Sequence, residues 1–229
     1  MNERFRRRRL PHWDIPGVTY FATTCLEGSL PSEGLLRLRQ ERETLERQPR
    51  PDGVSPREWK DRCWKKHFAQ TDDWLDIHPA VRHLADGRLA DEVIKGLAHF
   101  ADVRYELISF VVMPSHLHWV FRPLANWTER IIDGRRSPRE IIMHSVNRHT
   151  AARCNQLLAR SGIFWQHESY DHVVRDEDEL ERIVNYIHQN PVKAGLVQTA
   201  EEWPFSSAYG RGAGLQPANA KKFDLDSAG

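Results

Sequence analysis

A pair of strand-like runs joined by three residues constrains the fold more than any other feature of the sequence. Residues 104–112 (RYELISFVV) and 116–122 (HLHWVFR) are rich in β-branched and aromatic residues, which favour strands. The connection between them contains a proline and is too short for a crossover to a parallel strand. We therefore expect the two strands to pair antiparallel, so that the chain contains an antiparallel sheet.

The elements on either side of this pair complete a familiar order. Residues 18–26 and 169–175 are predicted as strands, and residues 88–100 and 137–160 as helices. The resulting order β-α-β-β-α-β is that of a ferredoxin-like α+β fold, an antiparallel sheet with helices on one face. The sequence therefore predicts this sheet, together with a helical insertion and a further helix at the C-terminal side.

Capping residues predict where three helices begin. Two Ser-Pro-Arg-Glu boxes start at Ser55 and Ser137, with serine as the cap, proline at the first position and glutamate reaching back to the cap. Asp176 is the predicted cap of the final helix, with Glu179 completing its box. We expect that helix to stop near Gln189, because the residue before a proline is disfavoured in the α conformation.

The remaining segments define the predicted organisation of the chain. Residues 1–17 form a basic arm, which is too short and too interrupted by prolines to fold alone. Residues 18–209 form one domain, and residues 210–229 are a tail. Within the domain, residues 35–76 are charged and helical and contain no cluster of candidate catalytic residues. We therefore interpret residues 35–76 as a helical insertion.

Composition excludes several classes of protein. No apolar run approaches the roughly 20 residues that a membrane helix needs, and no apolar segment follows the N-terminal arginines as in a secretory signal. The three cysteines are scattered, which argues against a disulfide scaffold and favours a reducing compartment. Net charge is only +1, but arginines cluster at residues 4–9 and 135–139. These clusters are either solvated segments or sites that neutralise phosphates.

Two histidines in the second strand of the central pair are candidate metal ligands. His116 and His118 lie two residues apart, so their side chains share one face of the sheet, about 6–7 Å apart along the strand. Two imidazoles at this spacing can share a divalent cation.

The final helix has a polar pair beside its apolar stripe. Tyr186 and Asn190 are one turn apart and lie to one side of the stripe. An amide oxygen can complete the coordination of a metal, and a phenol attacks phosphorus once the phosphate is polarised. The alternative is an amphipathic helix with an ordinary surface tyrosine.

Four stretches resemble a known family. HLH at residues 116–118 is similar to the HUH motif of rolling-circle and single-strand transposition enzymes. VVMPSHLHWV, GIFWQHESYDHVVRDEDEL, YIHQNPVKAGLV and EEWPFSSAYG together resemble the REP-associated tyrosine transposases. The resemblance runs from about residue 10 to residue 209. At Ser115 the chain departs from the MPNH sequence that is common in that family, and we expect this serine still to cap the turn.

The resemblance implies a specific activity. It implies a metal-dependent endonuclease and strand transferase that acts on single-stranded or hairpin DNA, such as repetitive extragenic palindromes. Tyr186 would form a 5′-phosphotyrosine, and His116, His118 and Asn190 would hold Mg²⁺ or Mn²⁺. The protein would be cytoplasmic and nucleoid-associated, a monomer or a homodimer, with no membrane partner. The residues expected to contact DNA are Arg6, Arg7, Arg8, Arg9 and Lys193.

Two other functions are compatible with the same residues. A zinc hydrolase would use the two histidines with a third ligand such as His172 or His167, and it would not need Tyr186. A DNA-binding regulator that has lost catalysis would need neither the metal nor the tyrosine. Replacing Tyr186 by phenylalanine separates the zinc hydrolase from the transposase, because only the transposase needs the phenol.

Overall fold

The computed structural model describes residues 4–7, 11–14, 17–129, 136–167 and 169–210. Arg8, Arg9, Arg135 and most of the predicted tail lie outside the described residues. The described helices and strands, in chain order, are β1 (Arg4–Arg7), β2 (Pro11–Asp14), β3 (Tyr20–Cys25), α1 (Ser32–Arg47), α2 (Pro56–Ile77), α3 (Gly87–Phe100), β4 (Tyr105–Val112), β5 (His116–Pro123), α4 (Ala125–Thr128), α5 (Pro138–Leu157), β6 (Tyr170–Val173) and α6 (Glu177–Lys193).

The main sheet has four strands in the order β4-β5-β3-β6, and every neighbouring pair is antiparallel. With α3 between β3 and β4, and α5 between β5 and β6, this is the strand order of a ferredoxin-like βαββαβ unit. The predicted α+β fold is therefore confirmed. The predicted antiparallel pairing across the short connection is also observed, with Val112 opposite Leu117.

The two faces of the sheet are covered by different helices. Helices α3 and α5 pack on one face over a large apolar cluster that includes Leu117, Trp119 and Phe121 of β5. Helix α6 packs on the opposite face through Ile187, where Val120 also lies. Because side chains alternate along a strand, β5 presents apolar residues to the first face and both histidines to the second.

The helix starts agree with the predicted caps. Both Ser-Pro-Arg-Glu boxes are formed, with Ser55 and Ser137 accepting from the amides of the glutamates three residues later. Asp176 accepts from the amide of Glu179 at 2.7 Å. The Glu179 carboxylate, however, accepts from the amide of Arg175 rather than from that of the cap.

The predicted end of the last helix is wrong. Helix α6 passes through Pro191 and ends at Lys193. Proline removes one backbone donor, but here it lies in the last turn, where the loss is small. Asn190 and Pro191 are both buried, and the Asn190 carbonyl accepts from the amide of Ala194. Packing of this turn therefore outweighs the local preference of the residue before proline.

The N-terminal segment and the insertion both have secondary structure. Strands β1 and β2 pair antiparallel, with Arg6 opposite His12, so the predicted arm contains a two-stranded sheet. Helices α1 and α2 occupy the predicted insertion and share a small apolar cluster that contains Leu38 and Leu75. Helix α2 then reaches across the face of the sheet that carries the histidines, where Phe68 packs against Phe21 of β3.

Candidate metal centre

His116 and His118 point to a common position beneath helices α2 and α6. Their Nε2 atoms are 3.0 Å apart, and both side chains are 0% exposed. Two ligand atoms that each lie about 2.1 Å from a cation, in directions at right angles to each other, are about 3 Å apart. The spacing of the two nitrogens is therefore that of adjacent ligands of a single ion.

Neighbouring hydroxyl groups orient both imidazole rings. Nδ1 of His118 lies 2.7 Å from the Thr23 hydroxyl, and Nδ1 of His116 lies 2.9 Å from the Ser115 hydroxyl. Ser115 donates its hydrogen to the Leu75 carbonyl at 2.9 Å, so it accepts from Nδ1 of His116. That bond leaves the Nε2 lone pair of His116 directed at the common position. Ser115, expected only to cap a turn, thus links His116 to helix α2.

The third member of the group comes from the insertion. Oδ1 of Asp72, on α2, lies 3.0 Å from Nε2 of His118 and 3.7 Å from Nε2 of His116. Asp72, His116 and His118 form a buried group that could hold a metal ion. The insertion, which contains no such cluster of its own, therefore supplies one member of this group. Asp72 is separated from the histidines by more than 40 residues, and no local pattern links them.

Tyr186 and Asn190 both reach this group. The Asn190 side-chain amide lies 3.3 Å from Nε2 of His118 and 3.3 Å from Oδ2 of Asp72. The Tyr186 hydroxyl donates a hydrogen bond to Oδ2 of Asp72, and its ring packs 5.7 Å from that of His118. The residues chosen from the helical spacing and from the strand spacing are thus brought together in one site.

Unpartnered oxygens test whether these residues suit a cation. Oδ1 of Asp72 and Oδ1 of Asn190 are buried and accept no hydrogen bond. Buried polar atoms are ordinarily paired, so Oδ1 of Asp72, which lies beside Nε2 of both histidines, is suited to a positive partner. The Asn190 atom that faces His118 and Asp72 is Nδ2, so its oxygen would reach a cation only after the amide turns over. Two imidazoles with carboxylate and amide oxygens are a donor set that Mn²⁺ and Mg²⁺ accept. The residues present therefore fit a divalent cation.

The ionisation of the site also suits cation binding. Burial, and then the neighbouring His118, lowers the pKa of His116 to about 3, so its ring is neutral at pH 7 and its lone pair is available. Burial raises the pKa of Asp72, but the adjacent imidazoles and the Tyr186 hydroxyl outweigh it and hold that pKa below its ordinary value. Burial, and then the charge of Asp72, raises the pKa of Tyr186. The phenol therefore holds its proton in this arrangement.

Other predicted site residues lie elsewhere. His172 pairs with Glu179 at 3.1 Å, and His167 lines a separate cavity beside α5. Neither is part of the metal-binding group found among the described residues, so neither third ligand expected for a zinc hydrolase is in place. Nζ of Lys193 lies 2.5 Å from Oδ1 of Asp73 on α2, at the edge of the site.

Two arginines of the second basic cluster, Arg136 and Arg139, differ in their exposure to solvent. Arg136 is exposed. Arg139 is buried and pairs with Asp171 of β6 at 3.0 Å. Arg139 therefore connects α5 to the sheet and does not belong to a solvated loop. In a separate observation on the described residues, no helix is long and apolar enough to cross a membrane.

The fold and the site together define a class of protein: an α+β sheet with an HUH-type histidine pair and a tyrosine on an adjacent helix. Comparison with known proteins agrees with this class. No protein-family model matches the chain. Two curated relatives, both named REP-associated tyrosine transposase, are similar to it. The protein from Haemophilus influenzae (strain ATCC 51907 / DSM 11121 / KW20 / Rd) is 30% identical over 113 residues, which is 46% of this chain and 60% of the relative.

The second relative, from Escherichia coli (strain K12), is 30% identical over 108 residues, which is 47% of this chain and 57% of the relative. The chain thus spans 57–60% of the length of the curated relatives that it matches. A solved structure of a REP-associated tyrosine transposase bound to a REP hairpin has a TM-score of 0.42 and 19% identity, covering 89% of this chain and 81% of that one. The resemblance read from the motifs is confirmed: the chain is a homologue of proteins named REP-associated tyrosine transposase.

Proposed function

We propose that this protein is a metal-dependent endonuclease and strand transferase that cleaves single-stranded DNA next to hairpins through a 5′-phosphotyrosine. The observation that carries the proposal is the convergence of Tyr186 with His116, His118 and Asn190 at one buried position. A hydrolytic metal site needs no tyrosine there. The names of the two relatives support the same activity.

Each residue has a distinct role in the proposed reaction. His116, His118 and Asn190 would hold Mg²⁺ or Mn²⁺, whose charge would polarise a non-bridging oxygen of the scissile phosphate. The Tyr186 oxygen attacks phosphorus, and the bond from phosphorus to the 3′ oxygen breaks. The phenol proton passes to solvent, and the departing oxygen takes a proton from water to become a 3′-OH. In strand transfer a 3′-OH attacks the phosphotyrosine, and the phenol leaves.

Five basic residues are proposed to contact DNA. Arg6–Arg9 of the arm and Lys193 at the end of α6 would bind phosphates of a hairpin stem, where guanidinium groups match phosphate geometry. The proposed location is the cytoplasm, in association with the nucleoid. The proposed working unit is a monomer or a homodimer, because Tyr186 can act with the cation of its own chain or with that of a second copy.

Covalent capture of DNA tests the proposal. The protein is incubated with Mn²⁺ and end-labelled single-stranded DNA that contains a hairpin, and the adduct is separated on a denaturing gel. We expect an adduct with the wild type and none with Tyr186→Phe, which lacks only the attacking oxygen. The variant should bind the hairpin with wild-type affinity, and this serves as the control for folding. An adduct of equal yield with Tyr186→Phe would refute the assignment, and hairpin binding without any adduct would favour a DNA-binding regulator.

A further inference from the structure

A second carboxylate of the insertion lies beside the candidate metal centre. Asp76 is one helical turn after Asp72 on α2, and its Oδ1 lies 3.8 Å from Nε2 of His116. Its side chain is 2% exposed, and neither of its oxygens accepts a hydrogen bond. A buried carboxylate without a partner is unfavourable unless it takes up a proton or binds a cation. Asp76, which accepts no hydrogen bond, lacks compensation more completely than Asp72, which accepts from Tyr186 and Asn190.

We propose that Asp76 is a further ligand of the cation, and that Asp72 and Asp76 close the site by occupying the positions a DNA phosphate must take. The proposed exclusion of DNA rests on the function proposed above, whereas the proposed binding of the cation by Asp76 does not. Metal sites with all positions filled by protein are structural or resting sites, whereas catalytic sites keep a position open. Asp76 does not belong to the group of three residues whose ligand atoms lie within 4.8 Å of one another, but its Oδ1 lies 3.8 Å from Nε2 of His116. Bound as a further ligand beside that group, it would leave less room for a substrate oxygen.

The position of Asp72 supports this closure. Its Oδ2 accepts the hydrogen bond of the Tyr186 hydroxyl, and its Oδ1 faces both histidines. A scissile phosphate must place one oxygen toward the cation and its phosphorus beside the tyrosine oxygen. The Asp72 carboxylate makes the equivalent pair of contacts, so it stands where the phosphate would stand.

Helix α2 as a whole covers the site. The Phe68 ring stacks on that of Tyr170 at 3.9 Å, and Lys65 pairs with Glu179 at 3.0 Å. Asp73 pairs with Lys193, and both of these side chains are about half exposed. Both histidines are inaccessible beneath this cover. DNA can therefore reach the cation only after α2 is displaced.

The insertion is built so that it can be displaced as a unit. Leu38 of α1 and Leu75 of α2 lie in a small apolar cluster with Leu30, which precedes α1, and Cys25 of β3. That cluster is separate from the large one beneath α3 and α5. Helix α2 is held to the sheet and to α6 by two ion pairs, by the packing of Phe68 on Phe21 and Tyr170, and by the hydrogen bond from Ser115 to the Leu75 carbonyl. Breaking these contacts costs less than unfolding the domain, so a lid of this kind can open while the sheet stays folded.

Manganese binding in the absence of DNA tests the ligand assignment. Mn²⁺ is titrated into the full-length protein and followed by the electron paramagnetic resonance signal of the free ion. We expect Asp76→Asn to weaken Mn²⁺ binding by about 10–100-fold, in the range of changes to groups around a bound metal. Asp73→Asn removes the same charge from the same helix at a half-exposed position, and should leave the affinity unchanged. Equal affinities of the two variants would overturn the assignment.

A reversible cross-link tests the closure. Cysteines are introduced by Asp73→Cys and Lys193→Cys, with Cys25→Ser and Cys63→Ser so that only the new pair reacts, and are joined by a short reagent that reduction cleaves. We expect the joined form to release Mn²⁺ to EDTA at least about 10-fold more slowly than the reduced form. Equal release rates would overturn the lid. Each single-cysteine variant, treated in the same way, is the control.

Covalent capture of hairpin DNA by the same pair of samples separates the two proposals. We expect the joined form to capture DNA at least about 10-fold more slowly than the reduced form, because the phosphate cannot displace the carboxylates. Equal capture by both forms would also overturn the lid. If the wild type as well as both forms fails to capture DNA, while the joined form still retains Mn²⁺ longer, the proposed function fails and the closure stands.

Discussion

The two faces of the sheet are formed by the same strands but bury side chains of different chemistry. On one face Leu117, Trp119 and Phe121 of β5 pack against α3 and α5, and Trp119 stacks on Phe121 at 4.1 Å. On the other face His116 and His118, equally buried, meet Asp72 and unpartnered oxygens. The first face gains free energy from apolar burial. The second has an apolar cluster of its own around Val120 and Ile187, but it also buries polar groups that lack partners, which is unfavourable.

This difference indicates that the two faces of β5 have different roles. A face that only had to stabilise the fold would not bury Asp72 and Asp76 beside two imidazoles while three of their four oxygens accept no hydrogen bond. The polar face is therefore organised for a ligand, and the apolar face supplies the stability that lets it exist. Three measurements test this contrast, from the largest expected effect to the smallest.

Adjacent substitutions on β5 give the largest effect. Trp119→Ala should lower the free energy of unfolding by about 3–5 kcal/mol, through lost burial and the cavity that remains. His118→Ala, one residue away and equally buried, should lower it by less than about 2 kcal/mol, because it also removes a polar group from an uncompensated cluster. Urea denaturation in EDTA measures both. Equal losses would mean that the two faces do not differ in this way.

Adding the cation should stabilise the protein only when the histidine face of the sheet is intact. At a Mn²⁺ concentration about 100-fold above its dissociation constant, the free energy of unfolding of the wild type should rise by about 2.7 kcal/mol. His118→Ala should gain almost nothing. Trp119→Phe, a milder change on the other face, is the matched control and should keep the full gain. Thermal unfolding with Mn²⁺, and again after EDTA, measures the effect. A gain of the same size in His118→Ala would place the cation elsewhere.

The smallest effect concerns the contact that holds α2 to α6. Burial raises the pKa of Glu179, but the Arg175 amide and then Lys65 and His172 outweigh it and lower that pKa from 4.5 to about 2. A carboxyl whose pKa is lowered by folding stabilises the protein above its ordinary pKa, and loses that contribution as the pH falls from about 4.5 to about 2.

Glu179→Gln should therefore cost about 2 kcal/mol at pH 7, after allowance for solvent around the half-exposed Lys65 amine. The difference from wild type should shrink steadily below pH 4.5, since a protonated glutamate resembles glutamine. Denaturation at a series of pH values measures it. A difference that is constant with pH would show that the charge of Glu179 makes no contribution.

Much of the fold follows from local pattern. Alternation along β5 assigns Trp119 and His118 to opposite faces, and the serine caps place the starts of α2 and α5, because these features depend on residues within one or two turns. The helical spacing of Tyr186 and Asn190 puts both side chains on one side of α6 for the same reason. The end of α6 is different, because burial of Pro191 by the rest of the fold outweighs a local preference.

By itself, the sequence determined the order of strands and helices along the chain, the histidine pair on one face of β5, and the tyrosine and asparagine on one side of α6, since periodicity relates residues that are close along the chain. Only the tertiary structure decided that Asp72 of the insertion meets the histidines and that Asp76 lies beside them. Those two carboxylates look like the solvated face of a charged helix in the sequence, because nothing in a helix records which distant strand it crosses. Ser115 is a similar case. Its hydroxyl acts on His116 only because the Leu75 carbonyl of α2 takes its hydrogen.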